Sequence, residues 1–271
     1  DSVGGDTNGD GSATSPAPGN WDFMAFRASV NDALTRLDHV EMRYGGNRNF
    51  GAAYFNQNNI LISNTLFTLS SSDGVYIDNS STRFENSQFN NNNRYGAYVN
   101  SGAATNSFRS STFNANNFGI VVNPGVRAPV FEDNTVSGNT NTGIYFNTTN
   151  APVPTGNTST GNSVPARLPF AALPNTEDGN AFAGNTIDRI DIVTGSTLSR
   201  SVTLGPDFVY HTSGNTDLFI AAGVQLRLLP GTVFKFGSSS TQLTANGVLN
   251  AIGTQSQPIT FTSIRDDSVG G

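Results

Sequence analysis

Asp6, Asn8, Asp10 and Gly11 stand at the spacing of the first half of a calcium loop. In such a loop, side-chain oxygens at positions 1, 3 and 5 face one hard cation and a glycine permits the sharp turn. Position 12 of that frame is Ala17, where the pattern needs a bidentate Glu, so any completing carboxylate must come from Asp1, Asp22, Asp266 or Asp267. The same residues without an ion make an Asx-turn loop, and the sequence leaves both readings open. Asp6, Asn8 and Asp10 are the candidate metal ligands, and calcium is the candidate cofactor.

Acid–base chemistry is harder to assemble. Glycoside cleavage needs two facing carboxylates, or a base beside a neutralised acid. Asp38, Glu41 and Arg43 alternate with apolar neighbours along one short strand and read as an exposed charge network. His39 and His211 are distant from one another and from a nucleophile. The expectation is a protein with no catalytic residues.

A recurring phrase supplies the scaffold. Between residues 62 and 147 an apolar residue is followed five positions later by another, then by a polar turn and a Gly-apolar-x-apolar-Asn run. The openers are Ile62, Phe84, Phe108 and Phe131, their followers Phe67, Phe89, Phe113 and Val136. Asn56, Asp78, Asn100, Asn123 and Asn147 close successive phrases at spacings of 22, 22, 23 and 24 residues, a period that belongs to a solenoid rather than to a helix. Strand alternation sends Ala53 and Phe55, Val75 and Ile77, Ala97 and Val99, Ile120 and Val122, Ile144 and Phe146 inward. It sends Tyr54, Tyr76, Tyr98 and Tyr145, with Val121 between them, outward. Parallel strands ~4.8 Å apart then set these tyrosines in a column. Such a column is a candidate surface for sugar rings or a second filament, and its plainer role is to stabilise the sheet.

With 36% hydrophobic residues over 271 positions, the chain can build one large all-β domain. Only one residue, Lys235, is lysine, and the net charge of -6 excludes the clustered cations of a nucleic-acid footprint. No apolar run reaches the ~20 residues of a membrane-spanning helix. The absence of cysteine, with abundant Asn, Ser, Thr and Gly, fits an extracellular or cell-surface protein of bacterial type, whose leader would lie outside this stretch.

Taken in order, residues 1–20 are an Asp/Gly-rich loop, 21–150 regular coils, 151–181 an irregular proline-rich excursion, and 182–271 further coils, all in a single module. Asp-Ser-Val-Gly-Gly occurs at 1–5 and again at 267–271, 267 - 1 = 266 residues apart. The expectation is one period of a tandem array, whose identical modules are partners head-to-tail. At roughly 23 residues per coil and ~4.8 Å per coil, a module holds about 10 to 11 coils over on the order of 50 Å.

Gly231-Thr-Val-Phe-Lys-Phe-Gly237, Leu243 to Gly253, Pro258 to Asp267 and Leu37-Asp-His-Val-Glu-Met-Arg-Tyr-Gly-Gly46 resemble the repeats of right-handed parallel β-helix proteins of large bacterial surface and adhesin type, within the pectin-lyase-like superfold. The likeness covers residues 1–46 and about 218–271; the ladder between is similar in pattern only. It implies a right-handed parallel β-helix, a surface location, and a structural role as the repeat of an extracellular fibre or giant adhesin. The alternative is a carbohydrate-binding or polysaccharide-degrading surface module. Asn215-Thr-Asp217 is similar to one hydrolase motif of the superfold, but its Gly-His-Gly and Arg-Ile-Lys companions are absent.

Overall fold

The computed structural model describes residues 4–102 and 105–270. They form a parallel solenoid with no α-helix and a single 3-10 turn at Phe170–Ala172. One sheet runs its whole length through eleven strands, from Met24–Phe26 to Thr260–Ser263, in sequence order and all parallel, which makes ten coil-to-coil steps. Over the first two thirds, coils are closed by a second sheet of five strands and a third of six. Beyond residue 195 these give way to two separate three-stranded sheets, while the long sheet continues unbroken.

The expected inward residues are inside. Ala53, Phe55, Val75, Ile77, Ala97, Val99, Ile120, Val122, Ile144 and Phe146 have no exposed surface. Ile62, Phe84, Phe108 and Phe131 stand in register on the second sheet, and Phe67, Phe89, Phe113 and Val136 on the third. Their rings stack coil on coil: Phe84 on Phe108 at 4.7 Å and 3°, Phe89 on Phe113 at 4.7 Å and 13°. Each buried phenylalanine contributes about 1.5–3 kcal/mol by leaving water. No coil can bury its own rings, so the period in the sequence is the period of the stacking.

A single left-handed residue turns the chain from the second sheet to the third: Asn64, Asn86, Ser110 and Asp133 have φ between 49° and 55°. Asparagine and aspartate tolerate that region because their short polar side chains bond locally. The next residue points inward, and two asparagine ladders satisfy the backbone at the corners. Asn92, Asn116, Asn139, Asn162 and Asn185 bond one to the next, and each of the first four also donates its amide to the carbonyl of the buried residue a coil earlier, as Asn116 does to Phe89 at 2.8 Å. Asn134, Asn157 and Asn180 repeat the device at the other corner. Glycines pack just as closely. A Cβ on Gly74 would lie 2.6 Å from the Gly96 carbonyl, and one on Gly96 2.6 Å from that of Gly119, so no larger residue fits there.

Residues 151–181 differ from the excursion anticipated. Thr158–Thr160 joins the third sheet and Val164–Pro169 the long sheet, with Ala166 and Leu168 fully buried. The strand accommodates Pro169 because it falls at the strand's end, where the register shifts. Both asparagine ladders run on through this stretch, so the coil persists although the apolar phrase lapses.

Candidate functional site

One register line on the outer face of the long sheet passes through every strand: Ala25, Tyr54, Tyr76, Tyr98, Val121, Tyr145, Arg167, Asp191, His211, Lys235, Thr262. Its first half is aromatic and its second half charged.

Tyr54, Tyr76 and Tyr98 are in contact, at centroid separations of 5.7 and 5.2 Å, but edge to face at 67° and 76°. They pack on one another more than they present faces outward. Phe23 and Phe50 cover Tyr54, whose hydroxyl donates to Asp78 at 3.2 Å. Burial and the neighbouring Asp78 push the Tyr76 hydroxyl up to about 12. Tyr145 is separated from these three by Val121, and the aromatic path reaches it sideways through Tyr95 and Phe118, the last 6.2 Å from Tyr145 at 25°. Arginines lie over the tyrosine faces: Arg27 at Tyr54, Arg94 at Tyr95 and Tyr98, Arg167 at Tyr145. Arg94 is held by Asp73, which is fully buried and pushed up to about 6 because the cost of burial outweighs the pull of the guanidinium.

The charged half centres on Asp191, only 4% exposed. It receives Arg167 Nε at 3.2 Å, Arg189 Nε at 2.7 Å and His211 Nδ1 at 2.8 Å. Burial opposes ionisation of Asp191, but the His211 hydrogen bond and the Arg189 charge overcome it and hold the carboxyl below its ordinary value. The imidazole Nδ1–H therefore points at a carboxylate and Nε2 points away from it. Sequence reasoning treated His211 as isolated. The signal was the column itself, because counting on from Tyr145 by 22, 24 and 20 residues gives Arg167, Asp191 and His211.

The loop at Asp6, Asn8 and Asp10 forms an Asx turn. Asp6 Oδ1 accepts the Asp10 amide at 3.0 Å and Oδ2 the Gly11 amide at 2.9 Å; Asn8 Oδ1 accepts the Asp10 amide at 3.2 Å, and Thr14 donates to Asp10 Oδ2. The loop's oxygens are thus gathered but engaged by its own backbone. Of the carboxylates expected to complete a cation site, Asp22 pairs with Arg48 at 3.0 Å, Asp266 and Asp267 follow the strand at the opposite end of the long sheet, and Asp1 lies outside the described residues. Among the described residues no three His, Cys, Asp or Glu side chains converge on a metal position. The pair at His39 is with its neighbour Asp38, at 3.1 Å on an exposed turn.

Residues 50–202, more than half of the 271, match the family of right-handed β-helix regions, and the chain belongs to that family. No curated protein and no solved structure matches it. The family fixes a right-handed parallel β-helix; what the module does must be argued from its surfaces.

Proposed function

We propose that this chain is a structural repeat of an extracellular fibre or giant surface adhesin, whose identical modules stack head-to-tail into one continuous β-helix. The observation that carries this reading is the contrast between the middle and the two axial ends of the coil stack. Inside, stacked side chains are fully buried. At the Thr260–Ser263 end, Val248, Leu249, Ile252, Phe261 and Ile264 are exposed, and at the Met24–Phe26 end Trp21, Met24 and Leu34 are. Both ends also offer open edges of parallel strands, of opposite sense, so one end of a copy fits the other end of the next and not itself. Such a contact is heterologous and propagates without closing.

In this role the aromatic column and asparagine ladders give stiffness, and the loop at 6–20 sits at each junction, where calcium at Asp6, Asn8 and Asp10 would rigidify it. The module is not an enzyme on this reading; incubation with acidic and neutral polysaccharides should release no shorter products. Electron microscopy of the purified chain at increasing concentration tests the stacking. Unbranched filaments with an axial repeat on the order of 50 Å, from eleven strands at ~4.8 Å each, are expected. Discrete monomers at every concentration, or subunits meeting side by side, would overturn the proposal.

A further inference from the structure

Tyr54, Tyr76 and Tyr98 touch along the aromatic half of the outer line, and their hydroxyls stand in opposite electrostatic surroundings. Asp78 Oδ2 accepts the Tyr54 hydroxyl at 3.2 Å, and the other donors to this carboxylate are the neutral side chains of Asn56, Asn100 and Ser101. Tyr76 precedes Asp78 by two residues on the same strand, and burial and then the Asp78 charge raise the hydroxyls of both tyrosines. At Tyr54 the Asp78 charge outweighs that of Arg27, which lies exposed over the ring. One coil later the sign reverses. Arg94 lies 4.8 Å from the Tyr95 centroid and 5.5 Å from that of Tyr98, and after burial its cation is the leading influence on the Tyr95 hydroxyl. Coil stacking uses the apolar surface of these rings and makes no use of the difference between their hydroxyls.

We propose that Tyr54 and Tyr76 form an oxidative cross-linking site, where a diffusible one-electron oxidant couples the two rings into a dityrosine that joins adjacent coils. Each phenol gives one electron to the oxidant, so two equivalents of oxidant are reduced. Tyr54 passes its hydroxyl proton to Asp78, which stands within the reach a base requires. Tyr76, partly exposed, passes its own to water. The two phenoxyl radicals then bond through ring carbons ortho to oxygen. The hydrogen on each joined carbon moves as a proton to its phenolic oxygen, which restores both aromatic rings; the net loss is two protons and two electrons. Tyr76 lies nearer to Tyr98, at 5.2 Å, than to Tyr54, at 5.7 Å, so charge rather than distance selects the pair. A carboxylate eases removal of an electron from a neighbouring ring and a guanidinium opposes it, which favours Tyr54 and Tyr76 over Tyr95 and Tyr98. No cysteine is present to intercept the radicals. The site lies on the side of the coil stack, away from its ends, and so does not depend on head-to-tail assembly.

The test is oxidation of the full chain, at a dilution where it is monomeric, by a ruthenium(III) polypyridyl complex generated with light and persulfate. Dityrosine fluorescence, a mass lower by two hydrogens and an unchanged monomer band on a denaturing gel are expected. Cleavage before Asp73 and Asp78 leaves Tyr76 on a peptide of its own, so mass spectrometry of the digest shows which tyrosine it has joined. Tyr54→Phe keeps the ring and should abolish that link. Asp78→Asn keeps the amide and hydroxyl partners but removes the base and its charge, and should slow coupling severalfold; its melting temperature confirms folding. The linked wild type should also melt higher than the untreated chain, because the bond constrains the unfolded state as a disulfide does. Absence of dityrosine, links only between molecules, coupling of Tyr98 to Tyr76 or Tyr95 in place of the Tyr54 link, or undiminished coupling in folded Asp78→Asn would each overturn the proposal, whether or not filaments form.

Discussion

Asp73 has no exposed side-chain surface, and Arg94, one coil later, grips both of its oxygens at 2.7 Å. Arg94 also donates to the Asn49 carbonyl and lies over the rings of Tyr95 and Tyr98, so the ion pair ties a loop to the aromatic column. Burial nevertheless dominates, and the Asp73 carboxyl sits at about 6, above its ordinary 3.8. The folded chain thus holds this proton more tightly than the unfolded chain does. The resulting stabilisation is complete below pH 4 and is lost as pH rises from about 4 to about 6, a change of up to about 3 kcal/mol at 1.36 kcal/mol per unit. Asp191 and Asp188, whose carboxyls are held below their ordinary value, work in the opposite direction and lose their contribution as pH falls. Denaturant unfolding of the wild type and of Asp73→Asn across pH 4–7 isolates the first effect. The wild type should lose ground to the variant as pH rises, and a flat or reversed difference would refute the assignment.

Asn139 occupies the middle of the longer asparagine ladder. Its Oδ1 accepts the Asn116 amide and side chain at 3.0 and 3.1 Å, and its Nδ2 donates to the Phe113 carbonyl at 3.1 Å and to Asn162 at 2.8 Å. Alanine there orphans several buried groups, each costing about 1–3 kcal/mol, so Asn139→Ala should destabilise the module by roughly 3 kcal/mol or more. Asn93→Ala, at an exposed position on a neighbouring turn, should stay within about 0.5 kcal/mol. Equal effects in urea melts would mean that the ladder is not a stabilising device.

These two residues also mark what could be read from the sequence and what could not. The apolar ladder was legible because stacking forces like side chains to recur at the coil length, and Phe84, Phe89, Phe108 and Phe113 occupy the stacked interior positions their spacing required. The outward tyrosines were legible for the same reason. The two corner asparagine ladders were not, since asparagines are abundant on the surface as well and nothing local distinguishes buried Asn92 from exposed Asn93, whereas the phrase-closing Asp78, Asn100 and Asn123 bond one to the next as their spacing indicated. The Asp191–His211 contact was hidden because Pro152, Pro154, Pro165, Pro169 and Pro174 interrupt the apolar phrase, and without the phrase the count along the column stops at Tyr145. The edge-to-face tilt of the tyrosines depends on ring packing that register alone does not set.

The loop at Asp6, Asn8 and Asp10 makes a narrower prediction. Its oxygens already hold backbone amides, so an incoming cation must compete with those bonds, and the affinity should fall in the ~10⁻⁴ to 10⁻³ M range of extracellular modules. With a dissociation constant near 1 mM, 10 mM calcium would stabilise the fold by about 1.4 kcal/mol. Thermal melts with and without calcium, repeated in Asp6→Asn/Asp10→Asn, check this. No shift in the wild type, or the same shift in the variant, would leave the loop as an Asx turn alone.

The last prediction concerns the open end of the coil stack. Leu249 and Phe261 are 39% and 41% exposed on the final coil, whereas Leu226 and Phe234, their register partners one coil earlier, are fully buried. The difference arises because the earlier pair has a coil stacked upon it. If a second copy supplies that coil, Leu249→Lys and Phe261→Lys place charges within a newly dry interface, where an unpaired ammonium is strongly disfavoured. Within one copy the same side chains face water, so the melting temperature of the isolated module should change little. Light scattering and electron microscopy should then find the double variant monomeric under conditions in which the wild type forms filaments. Filaments that persist undiminished in the variant would show that assembly, where it occurs, uses another surface.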